Sequence, residues 1–149
     1  REQQMVQALQ GRQAGELDWK AIGGTWGCAT SNLGKWTPNG SGAIPFKGFD
    51  LILTGIALKS PILSKYVHKY FVDTLTHLES LYRVVTPGGS ASYIVGNSKF
   101  YDVMLPVEKV YAGILSSVGF RDVKIQTIRK RTSKKELFEF LVVGRKPRR

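Results

Sequence analysis

The chain has 149 residues, enough for one compact domain, and no run of about 18 apolar residues that could cross a bilayer. Its 22 Lys and Arg against 11 Asp and Glu give a net charge of +11, which favours a polyanionic partner such as nucleic acid. The polar start lacks a secretory signal, and the single Cys28 excludes an internal disulfide or a cysteine-based zinc cluster. Composition therefore predicts a cytoplasmic protein with no membrane span and no bound metal.

The amino-terminal third of the chain is predicted to be irregular. Residues 1–48 contain a short polar helix candidate at residues 2–10 and a stretch rich in Gly, Asn and Ser at residues 23–48. Further along, His68 and His77 fall nine residues apart in a predicted helix and do not share a face, so they are read as surface or partly packed histidines rather than metal ligands.

Regular structure is predicted from residue 49 onward, with strands alternating with helices. A Pro87-Gly88-Gly89 turn ends the first helix, and a second helix begins at Pro106 and stops at Gly119. The predicted elements are strands at residues 50–54, 91–95, 123–128 and 137–143, with one helix whose apolar face carries Val67, Phe71, Leu75, Leu78, Tyr82 and Val85 and another between the second and third strands.

These connections predict a mostly parallel α/β sheet with an antiparallel last strand. Two strand-helix-strand units make the first three strands parallel by the right-handed crossover rule, and the last link is too short for a crossover. Three loops, 55–65, 96–102 and 129–135, are then expected to meet at one edge of the sheet, where α/β proteins bind ligands.

Positive charge is concentrated in these loops. Residues 121–149 hold 11 basic and 3 acidic residues, which is +8 of the total +11. Basic side chains would bind backbone phosphates without reading the base sequence. The candidate nucleic-acid contacts are Lys59, Lys65, Asn97, Ser98, Lys99, Arg129, Lys130, Arg131, Lys134 and Lys135. Tyr66, Tyr70 and Tyr101 are further candidates for stacking on bases, although Tyr70 adjoins the apolar helix face.

Several strings resemble bacterial DNA modification methylases that methylate the exocyclic amine of cytosine (N4) or adenine (N6). They are FDLILT, LYRVVTPGG, YIVGNSKF and IRKRTSKKELFEFLVVGRK, and the resemblance covers about residues 49–146, with 147–149 as a basic tail. A Pro-Gly-Gly turn before a strand is shared by most methyltransferases, whereas GNSK and RKRTSKKELFEF are much rarer.

The resemblance implies a Rossmann-like class I methyltransferase sheet, S-adenosylmethionine as cofactor, DNA as substrate and a role in restriction-modification. In that family a Ser/Asp/Asn-Pro-Pro-aromatic motif follows the strand that here is DLILT, and it holds a flipped base by stacking and hydrogen bonds. Only Ser60-Pro61, six residues late, is similar to it. The implied catalytic residues are Thr54, Gly55, Ser60 and Pro61, and the implied cofactor contacts are Asp50 and Thr54.

Two explanations of the altered motif stay open: a sequence that is incomplete or rearranged around Gly55-Ile56, or a relative that kept the scaffold and lost turnover. The first hypothesis is therefore a DNA methyltransferase. The alternative is a catalytically inactive methyltransferase-like module that binds nucleic acid or acts as a partner subunit or homodimer. A third hypothesis is an RNA-directed methyltransferase, because basic charge does not choose between nucleic acids.

Overall fold

The computed structural model of this protein describes residues 7, 16–17, 19–23, 32–131 and 136–149. After a short 3₁₀ turn at Leu33–Lys35, the described elements are three helices and five strands. They are α1 Phe49–Ala57, α2 Pro61–Val84, β1 Ser90–Gly96, β2 Ser98–Phe100, β3 Val103–Leu105, α3 Val107–Val118, β4 Arg121–Lys130 and β5 Phe138–Arg145. Within these described residues, no helix combines the length and the apolar character that a membrane crossing needs.

The main sheet is antiparallel, so the predicted Rossmann-like class I methyltransferase sheet, mostly parallel, is wrong. Its strand order is β1-β5-β4, and β5 pairs antiparallel with both neighbours. Strands β1 and β4 do point in the same direction, but β5 lies between them. The sequence of β5, FEFLVVGR, is largely apolar and suits a central position, whereas β4, RDVKIQTIRK, is charged and suits an edge.

The predicted strand at residues 50–54 is also wrong, because this segment forms helix α1. The inward positions Phe49, Ile52, Leu53 and Ile56 recur at helical spacing, and Leu51 between them is 78% exposed. A short apolar run cannot be assigned to strand or helix by periodicity alone. Without this strand, the described residues contain no strand-helix-strand unit that leads into β1.

The long helix and the second helix are confirmed. Ser60 caps α2 by accepting a hydrogen bond from the Leu63 amide (3.3 Å), and Pro61 occupies the first helical turn. Helix α3 begins after Pro106 and ends at Gly119, whose φ of 123° favours glycine. The predicted strands at 91–95 and 123–128 lie within β1 and β4, and that at 137–143 overlaps β5.

The core lies between one face of the sheet and the helices. Phe71 and Leu78 of α2, Ile114 and Leu115 of α3, and Val142 of β5 are fully buried there. Helix α3 contacts all three strands of the main sheet. The short antiparallel hairpin β2–β3 forms a separate two-stranded sheet that α1 contacts. The result is an α/β arrangement in which, among the described residues, β1 and β4 form the two edges of the main sheet.

Candidate nucleic-acid interface

Asn97, directly after β1, holds the β1–β2 loop against the start of β5. Its side-chain Nδ2 donates to the Glu136 carbonyl (2.9 Å), and its Oδ1 accepts from the Phe138 amide (2.8 Å). The residue is 7% exposed, so both hydrogen bonds are largely shielded from water. With its amide engaged at both ends, Asn97 positions the loop, and its side chain has little capacity left for a ligand.

The β4–β5 hairpin and the loop of residues 96–99 lie side by side. Arg131, which follows β4, donates from Nη1 to the Asn97 carbonyl (3.4 Å), and the same guanidinium lies against Gly96. Lys99 donates from Nζ to the Glu136 carboxylate (2.8 Å). Two of the three loops expected to converge therefore do meet. We call this region, built from residues 96–102 and from 129–131 with 136–139, the hairpin end.

Acidic side chains neutralise part of the hairpin end. Arg129 donates to the Glu139 carboxylate from Nε (2.6 Å) and Nη2 (3.3 Å), and these hydrogen bonds hold the pKa of Glu139 below its usual value. The hydrogen bond to Glu136 likewise raises the pKa of Lys99. The described part of the hairpin end holds four cations, Lys99, Arg129, Lys130 and Arg131, against three anions, Asp102, Glu136 and Glu139.

That difference, four minus three, leaves +1 on the described part of the hairpin end. The exposed side chain of Lys130 makes no hydrogen bond or ion pair with the other described residues, which leaves it available to a phosphate. Lys134 and Lys135 lie outside the described residues. The local charge is thus smaller than the basic sequence of this segment suggests.

The remaining predicted contacts fall in other places. Ser98 begins β2 and is half-buried. Lys65 is in α2 and donates from Nζ to the Gly34 carbonyl (2.7 Å), and Lys59 is exposed in the turn between α1 and α2. Neither lysine forms a hydrogen bond or ion pair with the described residues of the hairpin end. The loop of residues 55–65 therefore is not a strand-end loop, because most of it is helical.

The implied catalytic and cofactor residues occupy helical positions. The Thr54 hydroxyl donates to the Asp50 carbonyl (2.9 Å), one turn earlier in α1, and the exposed Asp50 lies in the first turn. Ser60 and Pro61 begin α2, as described above. Neither Asp50 nor Thr54 lines the cavity described below. As placed, these groups do not fit an S-adenosylmethionine site. Gly55, in α1, lets that helix approach Val103, because a Cβ there would lie 3.2 Å from its side chain.

An apolar cavity of about 350 Å³ lies between α2, β1 and the β2–β3 hairpin. No local sequence motif predicts this cavity, because its walls come from five separate elements, α2, β1, β2, β3 and α3. Tyr70, which lines the cavity, shares a hydrogen bond between hydroxyls with the buried Tyr111 (2.7 Å). Burial, followed by this hydrogen bond, raises the pKa of Tyr70. The only sequence signal was the placement of Tyr70 beside the apolar face of its helix.

Comparisons with protein-family models, with curated proteins and with solved structures each found no match for this chain. The described residues also include no group of three or more His, Cys, Asp or Glu that could hold a metal ion.

Proposed function

We propose that this protein binds DNA through its hairpin end and serves the S-adenosylmethionine-dependent methylation of an exocyclic base amine in the cytoplasm. The observation that carries the proposal is the contact between Arg131 and the Asn97 carbonyl. This contact joins the end of β4 to the loop of residues 96–99, whose sequence is GNSK. The two segments belong to the strings GNSK and RKRTSKKELFEF, which are the rarer part of the resemblance to the DNA modification methylases.

The charge and exposure of the end of β4 favour contact with a polyanion. The chain carries +11 overall, and Lys130 and Arg131 are exposed beside each other at the end of β4. Cations in such a position attract backbone phosphates and release counterions, which gives affinity without sequence recognition. We therefore propose that these cations contact the phosphate backbone of DNA, and that other groups recognise the bases.

Methyl transfer needs more than a contact with the DNA backbone. It requires groups that hold a flipped base and position its amine against the methyl donor. In this structure Thr54 and Ser60 make hydrogen bonds within and at the start of helices. This observation favours the second candidate function, in which the chain binds DNA as a module or partner subunit and the chemistry is performed elsewhere.

The DNA contact is tested by salt-dependent binding. A short fluorescein-labelled duplex is titrated with the wild-type chain, with the double variant Lys130→Ala/Arg131→Ala and with Lys47→Ala/Lys109→Ala. The control removes the same net charge from exposed positions outside the hairpin end. We expect the first variant to lower the slope of log K against log salt by about 1 to 2, and the control to leave it unchanged. Equal slopes for both variants would refute the contact.

The two candidate functions are separated by cofactor binding and product formation. Isothermal titration with S-adenosylmethionine, followed by detection of methylated bases after incubation with DNA, reports on chemistry in this chain. DNA binding without heat or product supports the binding module. Competition between duplex DNA and a structured RNA at one salt concentration then tests the RNA-directed alternative.

A further inference from the structure

Three asparagines occur in the sequence, and only one of them is followed by glycine. Asn39-Gly40 lies in the exposed turn at residues 39–41, between the 3₁₀ turn and α1. The backbone nitrogen of a residue can attack the carboxamide of an asparagine that precedes it, and glycine hinders this attack least because it has no Cβ. Asn39 therefore precedes the residue type that most favours the reaction.

Both reacting groups of this dipeptide are accessible. The Asn39 side chain is exposed, and neither its carboxamide nor the Gly40 backbone N–H makes a hydrogen bond with the described residues. Gly40 has a φ of 75°, and apart from its chain neighbours no described heavy atom lies within 4 Å of the position that a Cβ would take. Asn39 also borders an open groove of about 620 Å³ with Thr37 and Thr76, so water reaches the carboxamide.

Asn97 shows the opposite arrangement. The residue is 7% exposed, its Nδ2 donates to the Glu136 carbonyl, and its Oδ1 accepts from the Phe138 amide. Before this carboxamide could reach the backbone nitrogen of Ser98, both hydrogen bonds would have to break. At ordinary hydrogen-bond strength this requirement slows the reaction by about thirtyfold relative to an unfolded chain. The protein therefore contains an internal reference for a protected asparagine.

We propose that Asn39-Gly40 is a self-modifying site, at which the folded protein forms a succinimide and then isoaspartate without an enzyme. The Gly40 nitrogen forms a bond to Cγ of Asn39 and gives its proton to solvent, while the bond from Cγ to the amide nitrogen breaks and ammonia leaves. Water then adds to one of the two ring carbonyls. The ring opens either to aspartate or to isoaspartate, in which the main chain runs through Cγ. Each product carries a negative charge that asparagine lacks.

The isoaspartate product changes the contact between this turn and α2. Pro38 packs tightly against Gly42, because a Cβ on Gly42 would lie 2.5 Å from Cγ of Pro38. The Gly42 carbonyl accepts a hydrogen bond from Nε2 of His68 in α2 (2.7 Å). Isoaspartate adds a methylene to the main chain between Pro38 and Gly42, so the carbonyl is displaced and its hydrogen bond to His68 is lost. Aspartate keeps the original main chain and leaves this contact in place.

Peptide mapping by mass spectrometry tests the site. The wild-type chain is incubated at one pH and temperature, folded and in guanidinium chloride, and deamidation is followed at Asn39 and Asn97. For each residue, the ratio of the folded to the unfolded rate removes the effect of the side chain that follows it. We expect comparable rates in the two states for Asn39, and a slowing by about thirtyfold or more in the folded state for Asn97. If folding slows Asn39 as much as Asn97, the proposal is overturned.

Two variants separate the modification from its consequence. Asn39→Gln moves the carboxamide one methylene away from the Gly40 nitrogen and should abolish deamidation at this position. Asn39→Asp carries the same added charge as the products on an unchanged main chain. The imidazole NMR signals of His68 should stay close to those of wild type in both variants and should shift in the fraction of aged wild-type chain in which mapping finds isoaspartate. Unshifted signals in that fraction would refute the coupling to α2.

Discussion

Replacing Asn97 by alanine removes two hydrogen bonds that hold the hairpin end together. The Phe138 amide and the Glu136 carbonyl each lose their side-chain partner, at a residue that is only 7% exposed. A hydrogen bond of this kind contributes about 1 kcal/mol, so the loss of two such bonds sets the size of the effect. We expect Asn97→Ala to lower the free energy of unfolding by about 2 kcal/mol.

Urea denaturation followed by circular dichroism measures this change, with Asn39→Ala as the matched control. Asn39 is exposed and forms no hydrogen bond with the other described residues, so its replacement should stay within about 0.5 kcal/mol of wild type. Asn97→Ala should also weaken binding of the labelled duplex, because Arg131 loses the ordered loop that it contacts. A loss in stability no larger than that of the control would refute the reasoning.

Three further predictions concern single side chains. Burial raises the pKa of Glu108, and its Oε2 has no partner among the described residues. The protonated form therefore stabilises the folded protein. This contribution is complete below the pKa of Glu108 in the unfolded chain and is lost as pH rises through its pKa in the folded protein. Glu108→Gln should therefore stabilise the protein by about 1 kcal/mol at neutral pH and flatten that pH dependence in urea titrations. Gly113→Ala would place a Cβ 2.5 Å from the Pro45 carbonyl oxygen and should cost about 1 to 3 kcal/mol, whereas Gly34→Ala, with open space around it, should cost little in the same assay. Ser60→Ala removes the cap of α2 and should lower the melting temperature by an amount that corresponds to about 1 kcal/mol. Full thermal stability in that variant would argue against the capping role.

The helices could be predicted from the sequence because their signals are local. In α2, Val67, Phe71 and Leu78 recur at helical spacing over many turns, and Ser60-Pro61 is a typical helix start. The segment of α1 has nine residues and one apolar face, which is too little to separate helix from buried strand. Because this segment was assigned as a strand, Asp50, Thr54 and Gly55 were expected at or near a strand end, whereas they lie in a helix.

The order of the strands in the main sheet could not be predicted from local sequence patterns. The direction of β5 followed from the short link before it, but its position between β1 and β4 depends on which strand is most apolar. The β2–β3 hairpin was missed for a different reason. Its turn residues, Tyr101 and Asp102, both have positive φ, and such turns normally show Asn-Gly or Asp-Gly. The hydrogen bonds of Asn97 join it to residues about 40 positions later in the chain, and no local sequence motif predicts such contacts.

The central position of β5 has a consequence for synthesis of the chain. Strands β1 and β4 share no backbone hydrogen bond with each other, so each depends on β5 for its partner. While residues 138–145 are still inside the ribosome, the helices can form from local contacts, but the main sheet has no pair of strands to build on. Emergence of this last strand is therefore the event that converts a set of helices and loose segments into a folded protein.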